Sequence, residues 1–423
     1  MRILFVLHQF FPEFHGGTER VALNLAHMAQ RAGHYVHVLA CTVEPDKCGG
    51  VLSTEPVEGS YATTVEGLPV SLLSRSRLPS AADISFDVDA QLVESLSDWM
   101  RGQQFDVAHV MHTMRMGSAV AALQRCRLPY VLTLTDFFLL CARVNLISAQ
   151  SQQCPGPQGG RNCARDCCVP PWTPVGFSNR FLQSQAILQA AGARVAPSDY
   201  VAQRYRHAYE APLVQVQVIA HGIDLLAMGA ALQLARPASQ PHGGLKLIFI
   251  GSIVPQKGLE VLLKAMALLP GTAVQLQVIG GFFGDPTYQR AIRKLADADP
   301  RVELVGAKNA AQVFQALTWS DVLCIPSLVP ESYSLVFHES AAAGVPALVS
   351  DLGAPAQQVE ARDCGRAIAA GDAHAWAKAI DDLVRHPDTI KSWKEKLFLP
   401  LRIEEEAFFY ESIYQRLRLQ ESP

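Results

Sequence analysis

The residues best suited to chemistry lie in the last third of the chain. Pro330-Glu-Ser-Tyr-Ser-Leu-Val-Phe-His-Glu339 sets two carboxylates, Glu331 and Glu339, on either side of an apolar run, just after a loop proline. Glu331 falls in a loop and Glu339 one or two turns into the helix that follows. One acid can therefore face the sugar side of a ligand while the other faces a ribose, whose vicinal diol a carboxylate accepts through both oxygens. The pair does not read as a glycosidase acid and base, which must flank a single glycosidic bond. Farther upstream, Gly251-Ser-Ile-Val-Pro-Gln-Lys-Gly258 joins an apolar strand to a helix. Lys257 and the free N–H groups of that helix's first turn suit an anion such as a diphosphate. The plainer reading of Lys257 is a surface lysine in a loop.

These side chains need a frame, and apolar periodicity supplies one. Residues 3–8 and 35–40 read as strands around a helix at 18–31. The alternation continues with helix 88–100, strand 107–110, helix 117–125, strand 130–134, helix 177–191, strand 194–196 and helix 199–209, the last with Ser198 in a capping position. Residues 222–244, small and polar, read as a join. Beyond it come strands at 245–250, 274–279, 302–304, 322–325 and 346–349, with helices at 258–269, 286–296, 310–318 and 334–343 between them. Continuous rather than alternating apolar strands favour parallel sheets covered on both faces. The expectation is an α/β protein of two doubly wound, Rossmann-like domains, 1–222 and 245–400, facing each other across a cleft at the carboxyl ends of their strands. A helical tail, 401–423, is expected to cross back to the first domain.

Composition narrows the function classes. With 423 residues the chain can build two cores. Thirty-six basic against 39 acidic side chains give a net charge of −3, and no basic stripe is present, so nucleic acid is not an expected partner. The apolar runs have strand length, well short of the roughly 20 residues of a membrane span. The start, Met-Arg-Ile-Leu-Phe-Val-Leu-His8, shows no cleavage pattern, and a reducing cytoplasm is the expected compartment.

Five of the ten cysteines crowd into one loop, Cys141-x12-Cys154-x8-Cys163-x3-Cys167-Cys168. Four thiolates from one loop can bind zinc or an iron–sulfur cluster, with Cys141, Cys154, Cys163 and either Cys167 or Cys168 as ligands. The spacing matches no strict C-x2-C rule, and reduced thiols or disulfides are the alternative.

Taken together these motifs resemble the family 4 glycosyltransferases of the two-Rossmann-domain (GT-B) type. Gly251 to Gly258 resembles the family's Gly-Arg-x4-Lys-Gly element, and Glu331 to Glu339 its Glu-x7-Glu motif. Val305-Gly306, Asp321 to Ser327, Ala343-Gly-Val-Pro346 and Ser350-Asp-Leu-Gly353 also match. In the first half His15-Gly-Gly-Thr-Glu19, Ala196-Pro-Ser198 and His221-Gly-Ile-Asp224 agree. The resemblance implies a retaining hexosyltransferase that moves a sugar from a nucleotide-sugar to a glycan or lipid-linked acceptor, without a divalent ion, in surface polysaccharide or glycoconjugate assembly. It implies that Lys257 neutralises the departing diphosphate, Glu339 holds the ribose and Glu331 the transferred sugar. Gly306 would lie near the base, with Ser252, Ser334 and Leu335 lining the donor. Gly16 and Gly17 would bring backbone N–H groups close to phosphate or sugar.

Two family positions differ. Ser252 stands where an arginine usually accompanies the lysine, and Thr135, beside Asp136, where a histidine is usual; His109 and His112 are the candidates to compensate. Similar cysteine loops occur in a subset of the family, where a metal would order the acceptor-side lid. Phe10-Phe11-Pro12 and residues 172–177 could meet a lipid-linked acceptor, placing the enzyme at the inner face of the membrane. Rival readings are a nucleotide-sugar epimerase, a phosphorylase, or a metal-stabilised interaction protein with a relic donor site.

Overall fold

The computed structural model describes residues 1–168, 172–209, 215–234 and 244–420. The chain divides into two compact units: Met1–Gly222 with the segment from Ile403 onward, and Ile223–Arg402. The sequence-derived join at 222–244 falls partly outside the described residues.

The first unit is built on a nine-stranded sheet. In chain order its strands are β1 (Arg2–Val6), β2 (Tyr35–Thr42), β3 (Val51–Ser53), β4 (Ser60–Val65), β5 (Leu68–Ser74), β6 (Val107–Val110), β7 (Tyr130–Thr133), β8 (Ala193–Ala196) and β9 (Gln217–Val218). Their spatial order is β3-β4-β5-β2-β1-β6-β7-β8-β9. β1 pairs in parallel with both β2 and β6 and is fully buried from Ile3 to Val6, which is why it reads as an unbroken apolar run. Only β4 runs against the rest, antiparallel to both β3 and β5.

Those edge strands and β5 were not anticipated from the pattern. β3 leaves Val51 and Leu52 more than two-thirds exposed, β4 is the polar Ser-Tyr-Ala-Thr-Thr-Val, and β5 carries a proline. β3 and β4 have little to bury and leave a weak apolar signal, whereas β5 buries Leu68, Val70, Leu72 and Leu73 but is masked by Pro69.

Helix starts follow local chemistry. Asp89 accepts the N–H of Leu92 at 2.7 Å and opens Ala90–Gly102; Ser198 accepts that of Val201 and opens Asp199–Ala208. Thr173 caps Pro174–Ala190 with proline at its first position, three residues earlier than the apolar pattern suggests.

The helix Ile403–Gln420 completes this unit. Glu406, Tyr410, Tyr414 and Leu417 form one buried stripe at helical spacing. Glu406, 1% exposed, accepts from His221 Nδ1 at 2.9 Å and from the Gly222 N–H at 2.8 Å. The Tyr414 hydroxyl meets His109 Nδ1 and the Tyr410 hydroxyl meets Thr133, each at 2.7 Å, while His109 Nε2 also meets Thr133 at 2.7 Å. A buried polar network with every partner present fixes one docking register.

The second unit holds a six-stranded parallel sheet: β10 (Leu245–Ile250), β11 (Val274–Ile279), β12 (Val302–Gly306), β13 (Val322–Ile325), β14 (Ala347–Ser350) and β15 (Gly365–Ile368), ordered β12-β11-β10-β13-β14-β15. Helices cover both faces, with one apolar cluster around Trp376, Leu262 and Leu276 and another around Phe337, Leu323 and Phe314. The order reverses between β10 and β13, and ligands bind outside strand ends at such a switch point. The unit's own chain ends lie side by side, the Ile223 N–H donating to Leu401 O at 2.8 Å. Among the described residues no helix is long and apolar enough to cross a membrane.

Candidate active site

At the switch point of the second unit, β10 leads into a tight turn, Pro255–Lys257, and β13 into the loop that carries Glu331. The two loops are locked together. Leu328 N–H donates to Gln256 O at 2.8 Å, and a side chain at Gly258 would put its Cβ 1.8 Å from Pro326 O, on a backbone already at φ +68°. Only glycine fits there, which gives the Lys-Gly pair its physical reason. Gly353 does the same on the other side. Its φ is +81°, its missing Cβ would fall 2.4 Å from the backbone of Glu331, and Ala354 N–H donates to Glu331 O at 2.8 Å.

Clamped from both sides, Glu331 receives Lys257 Nζ at 2.7 Å and Ser327 Oγ at 2.5 Å on the same oxygen, Oε1. Its side chain is 12% exposed and that of Lys257 37%. Burial alone pushes the carboxyl's pKa up, but the Lys257 charge and the two hydrogen bonds outweigh it and hold Glu331 below the usual carboxylate range. Ser327 was not singled out in the sequence; being 2% exposed at the end of an apolar strand is the only sign that it had to find an internal partner.

The helix Leu335–Ala342 starts four residues beyond Glu331, with Ser334 at its N-cap in a positive-φ conformation (φ 69°). Leu335 opens the first turn, whose N–H groups point out of the helix, and half-buried Glu339 sits in the second. Gly306 ends β12 exposed, its carbonyl accepting from Gly280 N–H at 3.0 Å. Ser252 is exposed just after β10, its carbonyl engaged by Val254 N–H. The structure thus brings Lys257, Glu331 and Ser327 into direct contact, with Ser334, Leu335 and Glu339 on the adjoining helix.

In the first unit Gly16 and Gly17 are exposed at the start of the helix Gly17–Arg31. Thr135 Oγ1 donates to Met111 O at 3.0 Å, so its hydroxyl serves the strand ends. The ring beside Asp136 is that of His112, whose Nε2 meets Asp136 Oδ2. The Met114 N–H donates to His112 Nδ1 at 3.1 Å, which leaves Nε2 as the protonated nitrogen and fixes the ring's orientation. His109, by contrast, is fully buried under the C-terminal helix, and burial takes its pKa down to about 3. His109 is a packing residue.

Two further groups belong to this neighbourhood. The His8 ring packs on His112 with centroids 3.8 Å apart, and its pKa lies well below the ordinary value through burial, then the charges of His112 and Arg115. Glu19, 1% exposed, has its carboxyl pushed up by burial. His8 Nδ1 and Glu19 Oε1 are buried without a partner among the described residues. His8 had read only as the end of a strand and Glu19 as one letter of a motif.

The cysteine loop departs from expectation. Cys141 and Cys154 are buried, Cys163 and Cys167 half-buried and Cys168 exposed, all as free thiols. Burial, then the neighbouring sulfurs of Cys141, Cys154 and Cys167, pushes Cys163 up to about 12. The sulfurs of Cys141, Cys154, Cys163 and Cys167 are therefore close enough to feel one another. Among the described residues no three Cys, His, Asp or Glu side chains are disposed to hold a metal ion, so the zinc or iron–sulfur site expected from the spacing is not met. Residues 169–171, next to Cys168, lie outside the described residues.

Comparison with known proteins agrees with this architecture. The model "Glycosyltransferase Family 4" matches residues 15–225, and "Glycosyl transferases group 1" matches residues 234–397. Among curated relatives, a phosphatidyl-myo-inositol mannosyltransferase of Mycobacterium leprae is 31% identical over 46% of this chain and 50% of its own. A D-inositol 3-phosphate glycosyltransferase of Corynebacterium glutamicum is 24% identical over 51% and 54%. The chain spans about half the length of the curated relatives it matches. Among solved structures, a sucrose-phosphate synthase from Thermosynechococcus elongatus superposes with a TM-score of 0.69 at 19% identity, covering 99% of this chain and 100% of that one. Anabaena HepE in complex with UDP and glucose gives 0.67 at 16%, covering 98% and 99%. With family models matching both halves and the two-domain GT-B fold throughout, the chain belongs to the family 4 glycosyltransferases.

Proposed function

We propose that the protein is a retaining hexosyltransferase that moves a sugar from a nucleotide-sugar donor to a hydroxyl of a glycan or lipid-linked acceptor. The observation that carries this reading is the clamped Lys257–Glu331–Ser327 cluster beside the first turn of the helix bearing Glu339. Lys257 neutralises the leaving diphosphate, assisted by the free N–H groups after Ser334. Glu339 takes the ribose hydroxyls, and Glu331 takes the transferred sugar. Ser252 adds no charge, so leaving-group stabilisation rests on Lys257 and that helix end. Transfer proceeds on the face of the leaving group, whose oxygen assists the acceptor hydroxyl, and catalysis is positioning plus charge stabilisation. His112, held by Asp136, presents an oriented ring at the strand ends of the first unit, where the acceptor binds. That the HepE structure was solved with UDP and glucose supports a nucleotide-sugar donor. Work at the inner face of the membrane, in surface glycoconjugate assembly, fits such acceptors.

Calorimetric titration of UDP, GDP, ADP, CMP and dTDP into the wild type and Glu339→Ala tests this reading. One nucleotide is expected to bind selectively and to lose affinity in the folded variant. Binding of none of the five would overturn it.

A further inference from the structure

Arg115 occupies an unusual position for a long charged side chain. It follows β6 in a tight turn, at φ 63°, with its N–H donating to Ala82 O at 2.9 Å and the flanking Met116 fully buried. Its Nε donates to Asp83 Oδ1 at 2.5 Å. Asp83 is shared with Arg75, whose Nε donates to Oδ2 at 2.8 Å while its other nitrogens donate to the carbonyls of Pro79 and Ser80. Two guanidinium groups thus converge on one carboxylate, which leaves a net positive charge. Arg75 has committed its donors, but Arg115 Nη1 is buried and has no partner among the described residues.

A buried N–H of a cation left without an acceptor is costly and calls for an occupant. The surroundings point to its nature. Arg115 stands close enough to His8 to hold down that ring's basicity, and His8 Nδ1 is likewise buried and without a partner among the described residues. Both groups follow the carboxyl ends of paired parallel strands, β1 and β6, where open α/β sheets take their ligands. A guanidinium edge shaped for paired oxygens selects an oxyanion over a neutral hydroxyl.

We propose that Arg115 anchors a subsite for an anionic group on the acceptor, so that the first unit selects a sugar or polyol carrying a phosphate or carboxylate. This inference rests on the transferase reading only for the word acceptor; the anion site itself does not depend on it.

The test titrates glycerol 3-phosphate, glycerate and glycerol, at low salt, into protein saturated with whichever of the five nucleotides binds it. At least one anion is expected to bind saturably while glycerol does not, and which anion binds distinguishes phosphate from carboxylate. Arg115→Gln is expected to weaken that binding by about 10-fold or more, with Arg115→Lys intermediate because it keeps charge but loses the fork. Asp83→Asn is expected to tighten it, because it removes the competing carboxylate; a purely structural Arg75–Asp83–Arg115 cluster would not respond in that direction. Affinity for that nucleotide stays constant in all three folded variants. The proposal is overturned if neither anion saturates the wild type, if Arg115→Gln binds like wild type, or if Asp83→Asn weakens binding. Failure of all five nucleotides to bind the wild type would instead count against the donor reading, and the anion titration repeated without nucleotide would still report on Arg115.

Discussion

Lys257 is already occupied before any donor arrives. Its Nζ lies 2.7 Å from Glu331 Oε1, so under the proposed function a nucleoside diphosphate, with UDP as the probe, competes with a carboxylate for the same cation. The substitution Glu331→Gln separates the two effects. At 2.7 Å the gross attraction is about 6 kcal/mol at an effective dielectric near 20 and about 1.5 kcal/mol in water. Lys257 is 37% exposed, so solvent screening and lost side-chain freedom bring the net pairing down to about 1 kcal/mol. Releasing the lysine should therefore tighten UDP binding by about 5-fold, even as transfer slows because the sugar has lost its carboxylate partner. Lys257→Ala should do the opposite to binding, weakening UDP by about 10-fold through loss of a charge-assisted hydrogen bond. Isothermal titration on the two variants, with melting curves to establish that each is folded, reads both signs. Unchanged or weaker UDP binding in folded Glu331→Gln would refute the idea that this ion pair restrains the lysine.

Other consequences are open to direct measurement. Gly258→Ala should destabilise the second unit by several kcal/mol, on the order of 3, because the new Cβ meets Pro326 O at 1.8 Å on a left-handed backbone; thermal or urea melting checks it. Glu331 is held below its ordinary carboxylate range, so its contribution to stability is fully present above about pH 4.5 and is lost as pH falls through the depressed value; the acid limb of the melting curve should flatten in Lys257→Met. Tyr414→Phe leaves a buried nitrogen of His109 without its partner and should cost about 1–3 kcal/mol in urea melts. Cys168, the exposed thiol, should react with maleimide well before buried Cys141 and Cys154, and peptide mapping of a brief labelling reaction shows the order.

Much of the architecture was legible because the strands that carry the site are buried on both faces. β10 and β13 announce themselves as apolar runs, and Gly251 to Gly258 and Glu331 to Glu339 sit at their carboxyl ends. β3, β4 and β15 were invisible for the converse reason: they bury little, and alternating or small residues leave no run. Within the site, spacing indicated that Lys257 and Glu331 share a neighbourhood. It did not indicate that they touch, since contact depends on Gly258 and Gly353 letting two backbones approach. The histidines show the limit most clearly. His109 and His112 lie three residues apart at the end of one strand, yet one is sealed beneath a helix from the far end of the sequence and the other meets Asp136. No local pattern separates them. The cysteine spacing has the same limit: it indicated that the sulfurs gather in one loop, but not whether three of them converge on a common point, and among the described residues they do not.

The helix Ile403–Gln420 has a consequence for the order in which the molecule is made. Its Glu406, Tyr410 and Tyr414 satisfy His221, the Gly222 N–H, Thr133 and His109, which emerge from the ribosome 184 to 305 residues earlier. The second unit, Ile223–Arg402, is contiguous and can close as soon as it is released. The first unit cannot. During synthesis it waits with polar groups uncovered in its floor until the final helix arrives, so the portion translated first is the one finished last. Until residues 403–420 are released, a completed second unit stays attached to a first one still missing its keystone.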